Sequence, residues 1–150
     1  MSGKINFFTE EIDFKLKNKK SLRSWVGQTI IAENHTLKEI NFIFCSDQYL
    51  LKINQDYLRH DTYTDIITFD NSETETEIVS DIFISVERVT ENASAFRTAT
   101  LQELYRVMIH GTLHLLGYKD KSPKDKKLMT DKENFYMSQV PELTKYITFT

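Results

Sequence analysis

Cysteine occurs once, at Cys45. No internal disulfide is therefore possible, and a reducing cytoplasm is the expected setting. Proline occurs twice and glycine four times in 150 residues, which excludes a fibrous or largely disordered chain. No apolar run nears the ~20 residues that span a membrane. The start, Met1-Ser2-Gly3-Lys4-Ile5-Asn6, lacks the apolar stretch of a signal peptide. No membrane association is expected. A strong excess of one charge is also missing. The net charge of -3 gives no overall basic surface of the kind most nucleic-acid-binding domains carry.

What is present suits one domain of ordinary size over residues 1–150. Hydrophobic residues make up 40%, with 10 Phe and 7 Tyr, enough to fill a core. Charge is unevenly spread. Lys119, Lys121, Lys124, Lys126 and Lys127 are opposed only by Asp120 and Asp125, and Lys15, Lys17, Lys19, Lys20 and Arg23 form a second cluster. Each is either a solvated face or a local footprint for an anionic partner.

The pattern along the chain alternates strands and helices. Ile5 to Phe8 reads as a short strand. Ser21 is a candidate cap for a helix to about Asn34, with Leu22, Trp25, Val26, Thr29 and Ile30 at helical spacing. Leu37 to Cys45 alternates as a strand, with Ile40, Phe42 and Phe44 on one face. Ser46 caps a helix through Tyr57. Asp65 to Asp70 and Ile78 to Val86 read as two more strands, and the polar link 71–77 makes them an antiparallel hairpin. Helices follow over 86–97, from a Thr100 cap, and from Ser122-Pro123-Lys124-Asp125, where a capping Ser precedes Pro at the first helical position. Cys45 and Trp25 are read as core residues. The fold class expected is α/β (α+β): a small mixed sheet of about four strands, surrounded by helices, with one apolar helix packed centrally.

That apolar helix carries two of the four histidines, in the run His110-Gly111-Thr112-Leu113-His114-Leu115-Leu116-Gly117-Tyr118-Lys119-Asp120. A spacing of four puts both imidazoles on one helix face. This spacing alone is a weak signal. Gly117 can end the helix in a left-handed conformation and let the chain return Asp120 to the same place. His110, His114 and Asp120 would then offer two nitrogens and one oxygen to a single zinc ion, with a position left open for water. The arrangement resembles the zincin peptidase pattern, with its third ligand ten positions after the first. The glutamate that serves those peptidases as general base is replaced by Gly111. A peptidase is thereby disfavoured. The alternative for Asp120 is a turn residue with no ligand role.

The same run resembles the signature of the YbeY family, H-G-x-L-H-L-x-G-Y-D-H, metal-dependent endoribonucleases that mature ribosomal RNA. His110, Gly111, Leu113, His114, Leu115, Gly117 and Tyr118 match, whereas Lys119 and Asp120 depart from the last two positions. Asn54-Gln55-Asp56-Tyr57-Leu58-Arg59 resembles the family's N-x-x-Y-R, Thr64 to Phe69 its T-D-V-L-S-F, and Ser80-Asp81-Ile82 its G-D-I. These matches run in order from about 5 to 138. The resemblance implies a zincin-like metal helix and single-strand-specific cleavage of RNA, at the 3′ end of the small-subunit rRNA and in ribosome quality control. It further implies one zinc per chain on His110, His114 and Asp120, and a catalytic role for His114. Arg59 would be a catalytic phosphate clamp, its guanidinium fork gripping the substrate; the plain alternative is a surface arginine at a helix end. His60 is expected to point elsewhere. Asp65, Asp70 and Asp81 are expected to cap strand ends, with orientation of a histidine as the alternative. Tyr57, Tyr63 and Tyr118 are candidates for stacking on bases. Partners implied are single-stranded rRNA and the small ribosomal subunit with its proteins, met by a monomer in the cytoplasm. Two alternatives remain: a metal-dependent hydrolase of another substrate, and an assembly factor whose metal is structural.

Overall fold

The computed structural model describes residues 3–143. The strands are β1 (Lys4–Glu10), β2 (Thr36–Cys45), β3 (Ile66–Asp70) and β4 (Glu77–Ser85). They form one sheet in the order β1-β2-β4-β3. β1 and β2 run parallel, as do β2 and β4, while β3 pairs antiparallel with β4. The polar link between β3 and β4 therefore makes the expected hairpin, and the sheet is mixed.

Among the described residues, five α-helices surround it: α1 (Lys19–Ala32), α2 (Asp47–Leu58), α3 (Val86–Phe96), α4 (Thr100–Leu115) and α5 (Pro123–Met137). Alternation within the strands decides which helices lie where. Ile40, Phe42 and Phe44 of β2 join Ile78, Ile82 and Ile84 of β4 in the main core, with α1, α4 and α5. The opposite face is covered in part by α2, whose Leu50 and Ile53 pack on Cys45 and Ile67. Cys45 is thus buried, as read from its strand, and burial pushes its thiol pKa up to about 12.

α4 is buried on most of its circumference. Tyr105, Met108, Ile109 and Leu113 are inaccessible to solvent. Burial of such side chains is worth about 1.5–3 kcal/mol each, which ties α4 into the shared core of sheet and helices. Gly111 lies against the sheet. A Cβ there would stand 2.7 Å from Ile66 Cδ1, 3.3 Å from Thr68 Oγ1 and 3.4 Å from Ile82 Cγ2.

Two helix starts differ from the sequence reading. α1 begins before Ser21, because the Leu22 amide already bonds the Asn18 carbonyl at 2.9 Å. Asn18 is its N-cap, in the left-handed conformation that asparagine tolerates. α4 begins at Thr100 itself, with Ala99 as N-cap and no side-chain cap bond. Ser46, Ser85 and Ser122 do cap α2, α3 and α5 through their hydroxyl oxygens.

Candidate metal centre and its cleft

The two histidines lie on one flank of α4, sharing a cleft with Ile66, Ile67 and Thr68 of β3, with ring centroids 4.5 Å apart. Beyond Leu115 the helix closes through paired bonds. The Gly117 amide donates to His114 O and the Tyr118 amide to Leu113 O, each at 3.1 Å. Gly117 has φ 103, a conformation that glycine reaches without strain. The turn brings Asp120 back over the histidines. Its Oδ2 lies 3.4 Å from His110 Nε2 and 3.4 Å from His114 Nε2.

Those separations have a physical meaning. Two ligand atoms about 2.0–2.1 Å from a tetrahedral zinc stand about 3.3–3.4 Å apart. The three donor atoms all lie within 4.8 Å of one another, the spacing a shared ion needs. The ring tautomers suit the same role. His114 Nδ1 donates to Tyr118 O at 2.9 Å, and His110 Nδ1 donates to Glu133 Oε2 at 2.7 Å. A proton on each Nδ1 leaves the Nε2 lone pair free to face Asp120. Zinc, or another divalent ion accepting nitrogen and oxygen, fits this donor set.

Glu133 was not anticipated from the sequence. It sits on the inward face of α5 beside Met129, Tyr136 and Met137, almost fully buried. An acid within an apolar stripe is the signal that would have found it. Its second oxygen accepts from Arg106 Nη1 at 2.8 Å. Burial disfavours a charged His110, but the hydrogen bond and charge of Glu133, with Asp120 and Asp65, raise the ring's pKa overall. The carboxylates that favour a proton there favour a cation as well. Glu133→Ala is expected to weaken metal binding about 10- to 100-fold. A competition titration against a chromophoric chelator measures this, and unchanged affinity would assign Glu133 to packing alone.

Beside the candidate metal centre opens a cleft of about 610 Å³. Asn54 shapes its wall. The buried Asn54 accepts from the His60 amide and donates through Nδ2 to Thr62 O at 2.8 Å. The loop so held lines the cleft with His60, Thr62, Tyr63, Thr64 and Asp65, opposite His110, His114 and Asp120. His60 therefore faces the cleft, contrary to the sequence reading, because Arg59 takes a left-handed φ of 56 and redirects the chain. Arg59 itself is exposed and is not among the lining residues, although Leu58 and His60 on either side are. In the N-x-x-Y-R pattern the arginine follows the tyrosine directly; here Leu58 stands there and Arg59 comes one later.

Of the three tyrosines, Tyr63 lines the cleft, 47% exposed. Tyr57 packs edge-on against Phe69, and the Tyr118 hydroxyl bonds Glu33. Asp65 lies within the cleft wall, where burial raises its pKa against the opposing pull of His110. Asp70 caps its strand end by accepting from the Ser72 amide, and Asp81 accepts from Asn41. Lys119, Lys121, Lys124, Lys126 and Lys127 are all exposed around the turn and the start of α5.

Known proteins agree with this architecture. The family model described as endoribonuclease YbeY matches residues 4–141. The chain is 48% identical to an endoribonuclease YbeY of Cytophaga hutchinsonii over 134 residues, which cover 89% of this chain and 94% of the relative. It is 54% identical to that of Flavobacterium psychrophilum over 127 residues, covering 85% and 90%. The solution structure of TM1509 from Thermotoga maritima matches with a TM-score of 0.66 and 28% identity, over 91% of this chain and 89% of that one. A central two-histidine helix, its returning carboxylate and a match along nearly the whole chain thus converge on one conclusion: the chain belongs to the YbeY endoribonuclease family.

Proposed function

We propose that this chain, read as one domain over residues 1–150, is a metal-dependent endoribonuclease acting on single-stranded ribosomal RNA. Its tasks in this reading are maturation of the small-subunit rRNA 3′ end and ribosome quality control. The observation that carries it is the meeting of His110 Nε2, His114 Nε2 and Asp120 Oδ2 beside an open cleft. One zinc ion held there would supply Lewis acidity to water and to phosphate oxygens.

The remaining chemistry falls to the chain. Glu133 and the Tyr118 carbonyl fix the histidine rings. Tyr63 offers a face on which an unpaired base can stack, and the exposed lysines attract the phosphate backbone. Gly111 faces the sheet, so α4 provides no glutamate base of the peptidase type. Arg59, next to the lining, is proposed to grip a phosphate at the mouth of the cleft. Arg59→Ala is then expected to raise KM about tenfold, as loss of ~1.4 kcal/mol of binding would, with little change in kcat. Unchanged kinetics would remove Arg59 from the site. Action as a monomer in the cytoplasm, with the small ribosomal subunit and its proteins as partners, completes the reading.

The test offers zinc-loaded protein three substrates: labelled single-stranded rRNA fragments, the same RNA as duplex, and a peptide library. Cleavage of the single strand alone is expected. Peptide hydrolysis with RNA left whole would instead support a hydrolase of another class. Intact RNA and intact peptide would support an assembly role with a structural metal.

A further inference from the structure

We propose that Glu33, at the C-terminus of α1, is a positioning residue for the metal centre, acting through Tyr118. The proposal rests on the reading of His110, His114 and Asp120 as ligands. Glu33 touches none of them. Its carboxylate accepts from the Tyr118 hydroxyl at 2.6 Å, from Lys132 Nζ at 3.2 Å, and from the Tyr136 hydroxyl. Three donors from two distant segments thus converge on one half-buried acid. Lys132 Nζ also sits 5.5 Å from the Tyr118 ring centroid, above its face.

Tyr118 is held at both ends. Its hydroxyl is fixed on Glu33, and its carbonyl accepts the Nδ1 proton of His114. It directly follows the left-handed Gly117, and Asp120 lies two residues beyond. The turn has few other anchors: the Gly117 and Tyr118 amides bond back to the helix end, and Lys119 is exposed. Anchoring the ring therefore restrains the carbonyl that orients one ligand and the backbone that delivers another. A ligand turn held only by its glycine would sample several positions of Asp120. A turn pinned through Tyr118 has the 3.4 Å separations set in advance.

A purely structural role, tying α1 to α5, would act on folding and leave the metal centre alone. Tyr118→Phe separates the two, because it removes one oxygen remote from the metal and keeps the ring packed. Glu33→Gln keeps shape and loses charge. Both are expected to bind zinc about tenfold more weakly by chelator competition, and to dull the visible spectrum of the cobalt-substituted protein. The double variant is expected to be no worse than Tyr118→Phe, since the two act in one chain of contacts. In metal-free protein, nitrogen–proton correlation NMR is expected to show His114 losing its preference for the Nδ1–H tautomer. Wild-type affinity, cobalt spectrum and tautomer in both variants would overturn the proposal, whatever the effect on unfolding. If the wild type bound no metal, the ligand reading would fail, and the tautomer measurement would still decide the role of Glu33.

Discussion

His114→Ala is expected to abolish RNA cleavage while leaving the fold in place. The lost imidazole is one of the three proposed ligands, and its neighbours offer no replacement nitrogen: His110 is already committed to the same group, and His60 is outside it. A metal at such a site contributes several kcal/mol of transition-state stabilisation. At ~1.4 kcal/mol per tenfold, this predicts a fall in rate on the order of 10³-fold or more. The structural cost is small. The side chain is 32% exposed, and among the described residues its ring hydrogen-bonds Tyr118 O. Loss of that bond costs about 1 kcal/mol. Cleavage assays beside a urea unfolding curve check both halves. Cleavage at the wild-type rate by a folded His114→Ala protein would rule out the metal mechanism.

Gly111→Glu is expected to destabilise the protein so far that little of it folds. The substitution would install the base that zincin peptidases carry, and it shows why this helix cannot hold one. Position 111 points into the sheet at Ile66, Thr68 and Ile82. An unpaired buried carboxylate costs about 3–5 kcal/mol, and overpacking adds roughly 1–3 kcal/mol. Most domains have only about 5–15 kcal/mol in total. Gly111→Ala is the matched control. Its Cβ meets the mobile tip of Ile66, and the gain in helix propensity is up to about 1 kcal/mol, so its unfolding midpoint should move little. A stable Gly111→Glu protein would show that α4 packs less tightly than described.

Much of this was legible in the chain. Ile40, Phe42 and Phe44 alternate because one strand face is buried, and Leu22, Trp25, Val26, Thr29 and Ile30 repeat at helical spacing because one helix face is. The hairpin and the Ser46 and Ser122 caps were readable for equally local reasons. His110, His114 and Asp120 were readable because a helix and a glycine turn place them by short-range geometry. The α1 start was not, since a left-handed Asn18 leaves no serine-like signature. Glu133 and Glu33 were not, because each acts across the fold, 23 residues from His110 and 85 from Tyr118. The direction of His60 was misread for a similar reason. It depends on the φ of Arg59 and on a loop held by Asn54, neither of which periodicity reports.

Metal content of the wild type beside Asp120→Ala tests the central claim most directly. Both proteins would be stripped, exposed to zinc, and titrated against a chelator, with elemental analysis of the bound fraction. The three-ligand centre predicts one zinc per wild-type chain. It predicts that Asp120→Ala binds more than about tenfold more weakly, since losing a ligand must cost at least as much as losing a group that only orients one. Equal zinc binding by the two proteins would contradict it and return Asp120 to the role of a turn residue.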